Sequence, residues 1–346
     1  MKAIMLRKYG PPEVLSYEDV PDPIPREGEI RIRIHAATVN RVLDVSLRAG
    51  KETARGPVLP LIPGVDCAGI VDTIGPGVTR WQKRMHVAAA GVMPLASCAE
   101  DGKGYAGPTD MMGIKRPGGF AELVAVPACA ALALPEALDF HHAAVVVRHV
   151  PTAWNLLLNV AALKAGETVL IMGAGGNLGT IGIQIAKNVI GARVIAAAGS
   201  DERAKTGLAL GADHAVNYNT QDIEAEVMKF TGGKGVDVLY DNIANPQVLP
   251  KAFRSIGLGG RLVTAGAHAG PHVSIDFAHL YHKRITIKGM PGHRAADVPN
   301  CLVGAAQGKI KPQIERVLPL SRAAEAHRLI ESGDVTGKIV LDPTMG

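Results

Sequence analysis

Apolar and polar residues alternate strictly over residues 29–35, E-I-R-I-R-I-H. This period of two predicts a β-strand with one buried face and one face in water. Residues 69–74 and 121–126 are two further strand candidates. Before residue 140 the chain is also rich in Pro and Gly, so we expect a mostly β region there.

The pattern changes near residue 140, where short apolar runs begin to alternate with segments of helical periodicity. Strands are predicted at 169–172, 193–197, 215–218, 236–240 and 261–265. Helices are predicted at 152–163, 202–210, 223–230 and 247–255, with another helix after residue 179. Such alternation predicts an α/β domain with a doubly wound parallel sheet, the Rossmann arrangement.

The regular alternation of strands and helices ends after residue 287. Helices are predicted at 299–307 and 323–332, and a last strand at 337–341. We therefore expect the dinucleotide-binding domain, residues 138–288, to be inserted in a mostly β substrate domain. That substrate domain would comprise residues 1–137 and 289–346.

A glycine cluster joins the first strand of the α/β region to the helix that follows it. This strand–turn–helix order lets backbone N–H groups and a helix N-terminus hold a pyrophosphate. Gly173 would permit the turn, Gly176 the approach of the phosphates, and Gly179 the packing of helix on strand. The predicted loop contacts with the cofactor come from Gly173, Gly175, Gly176, Asn177, Leu178 and Gly179.

The end of the second strand indicates which nicotinamide cofactor is bound. An acid that holds the ribose 2′-hydroxyl would fall at Ala198, which cannot do so. Ser200 and Arg203 follow and suit a 2′-phosphate, so NADP(H) is favoured over NAD(H). In the alternative interpretation Ser200 caps the next helix, and Asp201 turned toward the ribose would favour NADH.

Charge and composition limit the classes of molecule that we expect the protein to bind. The chain has 37 Lys and Arg against 32 Asp and Glu, a net charge of +5, without any basic run longer than two residues. This suits an anionic cofactor and argues against nucleic acid as a partner. We expect no membrane partner, because no apolar stretch approaches ~20 residues. The four cysteines are far apart, which argues against disulfides and structural zinc, and with an N-terminus unlike a signal peptide it indicates a cytoplasmic protein.

The motifs taken in order resemble the medium-chain dehydrogenase/reductase superfamily over essentially the whole chain. They include P-G-V-D-C-A-G-I-V (63–71), G-G-F-A-E-L (118–123), T-A-W (152–154), L-G-A-D (210–213), G-G-R-L-V-T-A-G (259–266) and G-K-I-V-L (337–341). The chain looks most similar to the quinone-oxidoreductase-like and zinc-type alcohol-dehydrogenase-like branches that lack zinc ligands. The resemblance implies a GroES-like fold for the substrate domain.

The resemblance also implies roles for single residues. It places Thr152 at the cofactor, Tyr218 beside the adenosine, and Asn242, Gly266 and Met290 near the nicotinamide ribose or ring. It further implies that an edge strand near 284–288 pairs two subunits, giving a homodimer or a homotetramer.

Zinc-dependent members of the superfamily hold the catalytic metal with a Cys, the His of G-H-E and a later Cys or Asp. Here Val65 stands at the His position, and residues 39–44 and 145–154 contain no cysteine. Strand alternation would point Cys67 to the same side as Val65, but a lone cysteine is more often a small buried hydrophobe. We therefore expect no zinc, although His141, His142 and His149 leave a different metal site open.

Without a metal, hydride transfer to an electron-poor carbon of an α,β-unsaturated carbonyl or a quinone is the favoured reaction. Candidates for orienting or protonating such a substrate are Asn40, Arg41, Asp44 and His149, with Tyr105 a weaker one. Asn40 and Asp44 match an N-x-x-D element of the metal-free branch, but with one extra residue between them.

Structural explanations compete at each of these positions: Asn40 as a cap, Arg41 and Asp44 as solvated charges, and His149 as a structural histidine. Alternative functions are an alcohol or aldehyde dehydrogenase, and a non-enzymatic protein similar to zeta-crystallin that is structural or contacts RNA.

Overall fold

The chain forms two compact units in a computed structural model, which describes residues 1–51, 56–94, 109–290, 292–333, 335 and 337–346. Unit 1 comprises Met1–Arg148, Val298–Ala306 and Pro312–Gly346. Unit 2 comprises His149–Asp297 and Gln307–Lys311. Cys98 and Tyr105 lie outside the described residues.

Unit 2 is built on a parallel sheet of six strands. They are β10 (Thr168–Met172), β11 (Arg193–Ala198), β12 (His214–Asn217), β13 (Val236–Asp241), β14 (Ile256–Thr264) and β15 (Thr286–Gly289). Their order is β12-β11-β10-β13-β14-β15, and each neighbouring pair is parallel. This is the strand order of the dinucleotide-binding fold, and the order reverses between β10 and β13. The α/β class with a doubly wound parallel sheet is confirmed.

Helices connect the strands of unit 2. They are α3 (Asn177–Gln184), α4 (Asp201–Ala209), α5 (Ile223–Thr231), α6 (Leu249–Arg254) and α7 (Phe277–His282). A π-helical segment, Ile185–Ile190, continues α3 and ends at Gly191, whose φ of 79° is left-handed. Apolar side chains on one face of the sheet, such as Leu170, pack with Val227 of α5 and Phe253 of α6 in one buried core.

Unit 1 is mostly β. A seven-stranded sheet has the order β16-β17-β3-β4-β5-β9, with β8 also paired to β3. Its members are β3 (Glu29–Thr38), β4 (Asp66–Ile74), β5 (His86–Ala90), β8 (Leu123–Pro127), β9 (Ala131–Ala133), β16 (Ile314–Pro319) and β17 (Lys338–Asp342). Two-stranded sheets pair β1 (Lys2–Leu6) with β2 (Leu15–Asp19), and β6 (Val92–Pro94) with β7 (Thr109–Met111).

The helices of unit 1 are short apart from α2. They are α1 (Ser46–Arg48), α2 (Phe140–Trp154), α8 (Val298–Ala306) and α9 (Ala323–Ser332), and α2 belongs to unit 2 from His149 onward. A π-helical turn, Arg41–Val45, precedes α1 directly. No helix among the described ranges combines the length and the apolarity that crossing a membrane requires.

Two sequence-based expectations need correction. The predicted helix at 152–163 is instead the end of α2, which contains Pro151, followed by the π-helical segment Asn155–Val160. The expectation of no disulfide is wrong for Cys129, which is disulfide-bonded, whereas Cys67 and Cys301 are buried thiols outside any disulfide.

Candidate functional site

The glycine loop of unit 2 follows β10 directly. Gly173 adopts φ 69°, a left-handed conformation that favours glycine, and its carbonyl accepts a hydrogen bond from Gly176 N (2.8 Å). A Cβ at Gly179 would lie 2.1 Å from Gly173 O, so helix α3 packs against the loop in the way that only glycine allows. Gly176 caps α3 in extended conformation without a side-chain hydrogen bond. Asn177 and Leu178 therefore begin a helix whose first turn no side chain caps, which suits phosphate binding.

Four strand ends bring further predicted residues to this edge of the sheet. Asn242, just after β13, donates from Nδ2 to Met172 O (3.0 Å) and so ties the ends of β10 and β13 together. A Cβ at Gly266 would lie 2.5 Å from Asn242 O. Met290 follows β15 and donates its N–H to Thr264 O (3.0 Å). Thr152 lies in α2, away from these strand ends in sequence.

The end of β11 carries the residues predicted to select the cofactor. Ser200 caps α4, since its side chain accepts a hydrogen bond from Arg203 N (3.3 Å). A Cβ at Gly175 would lie 2.7 Å from Arg203 Cβ, so the Arg203 stem lies over the glycine loop. Asp201 Oδ1 accepts a hydrogen bond from Asn217 Nδ2 (2.7 Å), which holds this carboxylate against β12. The Tyr218 hydroxyl approaches Gly199, at 3.1 Å from the position of a Cβ there.

Two polar groups at this edge were missed by sequence reasoning. Asp241 is 1% exposed, and its carboxylate accepts from Ile243 N and Ala244 N (3.3 and 2.9 Å). Burial raises the pKa of Asp241. Asn219 Nδ2 donates to Gly199 O (2.7 Å). Their position directly after predicted strands is the signal that could have identified them.

A second polar cluster lies in unit 1, at the end of β3. Asp44 Oδ2 accepts from Asn40 N (2.8 Å) and from Asn40 Nδ2 (2.9 Å), and Asp44 Oδ1 accepts from Gly64 N (3.2 Å). The N-x-x-D pattern has one residue fewer between its Asn and its Asp. The π-helical turn accommodates the extra residue, and within this turn Val45 N donates to Asn40 O (3.0 Å). Asp44 is therefore buried and paired with Asn40, and is not a solvated charge.

Asp66, at the start of β4, completes this cluster and was missed as a site residue. It accepts from Thr38 N (2.6 Å), Thr38 Oγ1 (2.5 Å) and Asn40 Nδ2 (3.2 Å). Burial and the neighbouring Asp66 charge together raise the pKa of Asp44 to about 7. Burial raises the pKa of Asp66 as well, against the effect of the Thr38 hydrogen bonds. Sequence reasoning quoted Asp66 only within a motif, because its partners come from another strand.

Positive charge faces the two carboxyls from two further elements. The charge of Arg148, on α2, opposes the rise that burial causes in the pKa of Asp66. Burial lowers the pKa of Lys338, on β17, to about 8, and the charge of Asp66 opposes that shift. The cluster thus combines two acids with two cations in a largely dry environment.

Arg41 donates a hydrogen bond outside this cluster, and His149 is placed by helix α2. Arg41 Nη2 donates to Ile330 O (2.5 Å) near the end of α9. His149 lies within α2, directly after Arg148, and does not precede a helix start.

The donor atoms do not fit the catalytic zinc of the superfamily. Val65 is fully buried in an apolar core, and Cys67 packs into a different core, so the two do not share a side as expected. Burial raises the pKa of the Cys67 thiol, which disfavours the thiolate that binds metal. Within the described residues, no group of three His, Cys, Asp or Glu side chains could hold a metal ion.

Comparison with known proteins gives matches over the whole chain. The family profile described as "Alcohol dehydrogenase GroES-like domain" matches residues 26–136, and "Zinc-binding dehydrogenase" matches residues 176–306. The quinone oxidoreductase of Sus scrofa is 32% identical over 99% of this chain and 97% of its own. The NAD-dependent alcohol dehydrogenase of Sulfolobus acidocaldarius is 33% identical over 99% and 100%.

Solved structures agree. A crystal structure of an NAD-dependent alcohol dehydrogenase superposes with a TM-score of 0.89 at 36% identity, covering 99% of both chains. These named relatives are oxidoreductases, which the non-enzymatic alternative does not explain. The chain belongs to the medium-chain dehydrogenase/reductase superfamily, among its quinone oxidoreductases and alcohol dehydrogenases, and is a nicotinamide-dependent oxidoreductase.

Proposed function

We propose that this enzyme is an NADPH-dependent reductase of α,β-unsaturated carbonyls or quinones that works without a catalytic metal. The observation that carries the proposal is the Asn40–Asp44–Asp66 cluster together with the buried Val65. A hydrogen-bonded acid–amide network and an apolar side chain stand where zinc-dependent relatives need metal ligands. NADPH supplies the hydride when bound.

The glycine loop fits the pyrophosphate of that cofactor. Gly173, Gly176 and Gly179 have no side chains to obstruct the N-terminus of α3. A Cβ at Gly179 would clash with the Gly173 carbonyl and disturb the loop. We propose that Asn242, Gly266 and Met290 line the nicotinamide end and that Tyr218 lies beside the adenosine. Thr152 would contact the cofactor from α2.

The preference for NADPH rests on the end of β11. Arg203 is exposed and its aliphatic stem lies beside the glycine loop, whereas the Asp201 carboxylate is already bound to Asn217. A 2′-phosphate would therefore meet a cation, and a ribose 2′-hydroxyl would lack its carboxylate acceptor. Ser200 keeps its capping role and still offers its hydroxyl at the helix N-terminus.

On the substrate side we propose that Asn40 orients the reacting group and that Asp44 acts through Asn40, with His149 or a hydroxyl bound at Asn40 as the candidate proton donor. Arg41 takes no part in this proposal, because its guanidinium holds the end of α9. An enolate or phenolate that develops during reduction needs hydrogen bonds and a proton, which such polar groups and water supply without a metal.

The test is elemental analysis of the purified protein, with NADPH oxidation followed against a quinone and a short enone. We expect less than about a tenth of an equivalent of zinc and turnover that survives a chelator. Stoichiometric zinc with turnover abolished by the chelator would overturn the proposal.

A metal-assisted alcohol dehydrogenase is the second candidate, favoured by the 33% and 36% identity to proteins named NAD-dependent alcohol dehydrogenase. Alcohol oxidation with NAD⁺ that exceeds enone reduction with NADPH would select it.

We also propose a homodimer, which could extend to a tetramer. All four residues of the edge strand β15 are exposed, and Phe277, Tyr281 and Ile287 expose apolar surface on and near it. An exposed edge strand with apolar neighbours suits pairing with a second copy.

A further inference from the structure

The Asn40 side chain is held with its nitrogen inward. Nδ2 donates to Asp44 Oδ2 (2.9 Å) on one side and lies 3.2 Å from Asp66 Oδ2 on the other. Thr38 O and Oγ1 are further acceptors for the same nitrogen, at 3.2 and 3.3 Å. Rotating the amide by half a turn would set its oxygen against these acceptors, so the inward nitrogen is strongly favoured.

The oxygen of the same amide is left open by the residues that the structure describes. Asn40 is 5% exposed, and no described residue donates a hydrogen bond to its Oδ1. Oδ1 is not among the fully buried side-chain atoms that lack a partner, so it is accessible to water or to a bound hydroxyl. An oxygen in this state is therefore a binding position for a group that brings its own hydrogen.

The surrounding charges keep the nitrogen side fixed. Asp66 accepts three hydrogen bonds, two of them from Thr38, which favour its anionic form. Lys338 and Arg148 face the cluster with positive charge. Asp44 is oriented independently by the backbone N–H groups of Asn40 and Gly64.

We infer that Asp44 and Asp66 are positioning residues that hold the Asn40 nitrogen and so present its oxygen as a hydrogen-bond acceptor, and that an O–H donor bound at Asn40 Oδ1 delivers the proton to the reduced substrate. This inference rests on the proposed reductase function. The donor is a water molecule or a hydroxyl of the substrate itself, because a ketone or quinone oxygen has no hydrogen to offer.

The proton transfer balances without a further reagent. The O–H bond of the donor breaks, and its proton bonds to the carbon or oxygen that holds the electron pair gained in the reduction. The hydroxide or alkoxide left behind takes a proton from solvent. Asn40 itself neither gains nor loses a proton, so it acts through the orientation of the donor.

The orientation of Asn40 can be measured without turnover. In protein labelled with ¹⁵N-asparagine, the side-chain NH₂ signal of Asn40 is assigned by its loss in Asn40→Asp. We expect its hydrogens to exchange with D₂O at least ~10-fold more slowly than those of exposed asparagines, and Asp66→Asn to remove most of that protection. Exchange at the exposed rate in the unsubstituted enzyme would overturn the inference.

Kinetics then test the proton path. Asn40→Leu should lower kcat at least ~100-fold, while the Kd for NADPH measured by fluorescence stays within twofold. Asp66→Asn should lower kcat more than it changes KM. Asp72→Asn is the matched control, because Asp72 lies on the same strand and pairs with Arg31 and Arg33 outside the cluster. A kcat of Asn40→Leu within twofold of the unsubstituted enzyme would contradict the inference.

Two substrates separate the sources of the proton, an enone with a neighbouring hydroxyl and its methyl ether. Equal loss on both in Asn40→Leu identifies water as the donor, and loss on the hydroxy-enone alone identifies the substrate hydroxyl. If the unsubstituted enzyme reduces neither compound, the proposed reductase function fails. The exchange experiment still decides the orientation of Asn40 in that case.

Discussion

Asp44 Oδ2 accepts two hydrogen bonds from Asn40, one from its backbone N–H at 2.8 Å and one from its side-chain Nδ2 at 2.9 Å. The pair holds although one residue more than expected separates the two positions, since the chain widens there into a π-helical turn. The carboxyl is buried beside a second carboxyl, and this makes its protonation part of the stability of the fold.

The first prediction concerns Asp44 and pH. Its pKa rises from 3.8 to about 7 on folding, so between these values the folded state binds a proton that the unfolded state lacks. The stability that this group contributes is fully present below pH ~4 and is lost as the pH rises through 7. Asp44→Asn should remove this loss, so that its Tm falls less than the unsubstituted enzyme's between pH 5 and pH 8, by on the order of 5 °C.

The control for that measurement is Asp72→Asn. Ion pairs with Arg31 and Arg33 offset the effect of burial and leave the pKa of Asp72 below its usual value, so its contribution to stability is constant above pH ~5. This variant should lower the Tm equally at both pH values. An Asp44→Asn variant with the same pH dependence as the unsubstituted enzyme would show that Asp44 is ionised throughout.

The glycine loop gives a second prediction with a control on the same helix. A Cβ at Gly179 would lie 2.1 Å from a backbone oxygen, whereas one at Gly182 would meet Tyr240 and Ile171 at 3.5 and 3.6 Å. Gly179→Ala should therefore raise the Kd for NADPH by more than ~10-fold and lower the Tm. Gly182→Ala should bind normally and gain ~0.5–1 kcal/mol of stability, because alanine favours helix. Equal effects of the two substitutions in fluorescence titration and calorimetry would refute the packing argument.

Cofactor preference should depend on Arg203. Loss of a charge-assisted hydrogen bond costs ~1.5–3 kcal/mol, so Arg203→Ala should raise the Kd for NADPH ~10–100-fold and leave that for NADH almost unchanged. Lys205→Ala, an exposed cation on the same helix α4, is the control. If NADH binds more tightly than NADPH to the unsubstituted enzyme, the assignment of the 2′-phosphate site is wrong.

The edge strand of unit 2 should control the oligomeric state. Ile287→Lys adds a charge at the exposed strand β15 and should convert a dimer of 36.2 kDa chains to monomers in light scattering. Ile24→Lys changes an apolar residue that is 83% exposed in unit 1 and should leave the mass unchanged. A monomeric unsubstituted enzyme at micromolar concentration would exclude the dimer.

The sheet of unit 2 and its glycine loop could be predicted because the signals are local. Each strand there is a short apolar run, and the turn residues that follow stand next to it in the sequence. The long helix α2 was placed too late, because Pro151 suggested a helix start but lies inside the helix.

The polar cluster of unit 1 was only half predicted. Asn40 and Asp44 are close in sequence, but Asp66 reaches them only through the antiparallel pairing of β3 with β4. Lys338 arrives from the far end of the chain on β17, which pairs with β3. Contacts between segments that are distant in sequence produce no periodicity or residue spacing in the sequence that would predict them. The contact of Arg41 with α9 was missed for the same reason.

The π-helical turn at Arg41–Val45 carries a consequence for how such enzymes diverge. A helical turn can lengthen by one residue, exchanging an i−4 for an i−5 hydrogen bond, while the residues at its two ends keep hold of each other. Inheritance then preserves a contact and lets the spacing drift. Equivalent positions in this turn are therefore better identified by the hydrogen bond between the carboxylate and the amide than by counting residues along the chain.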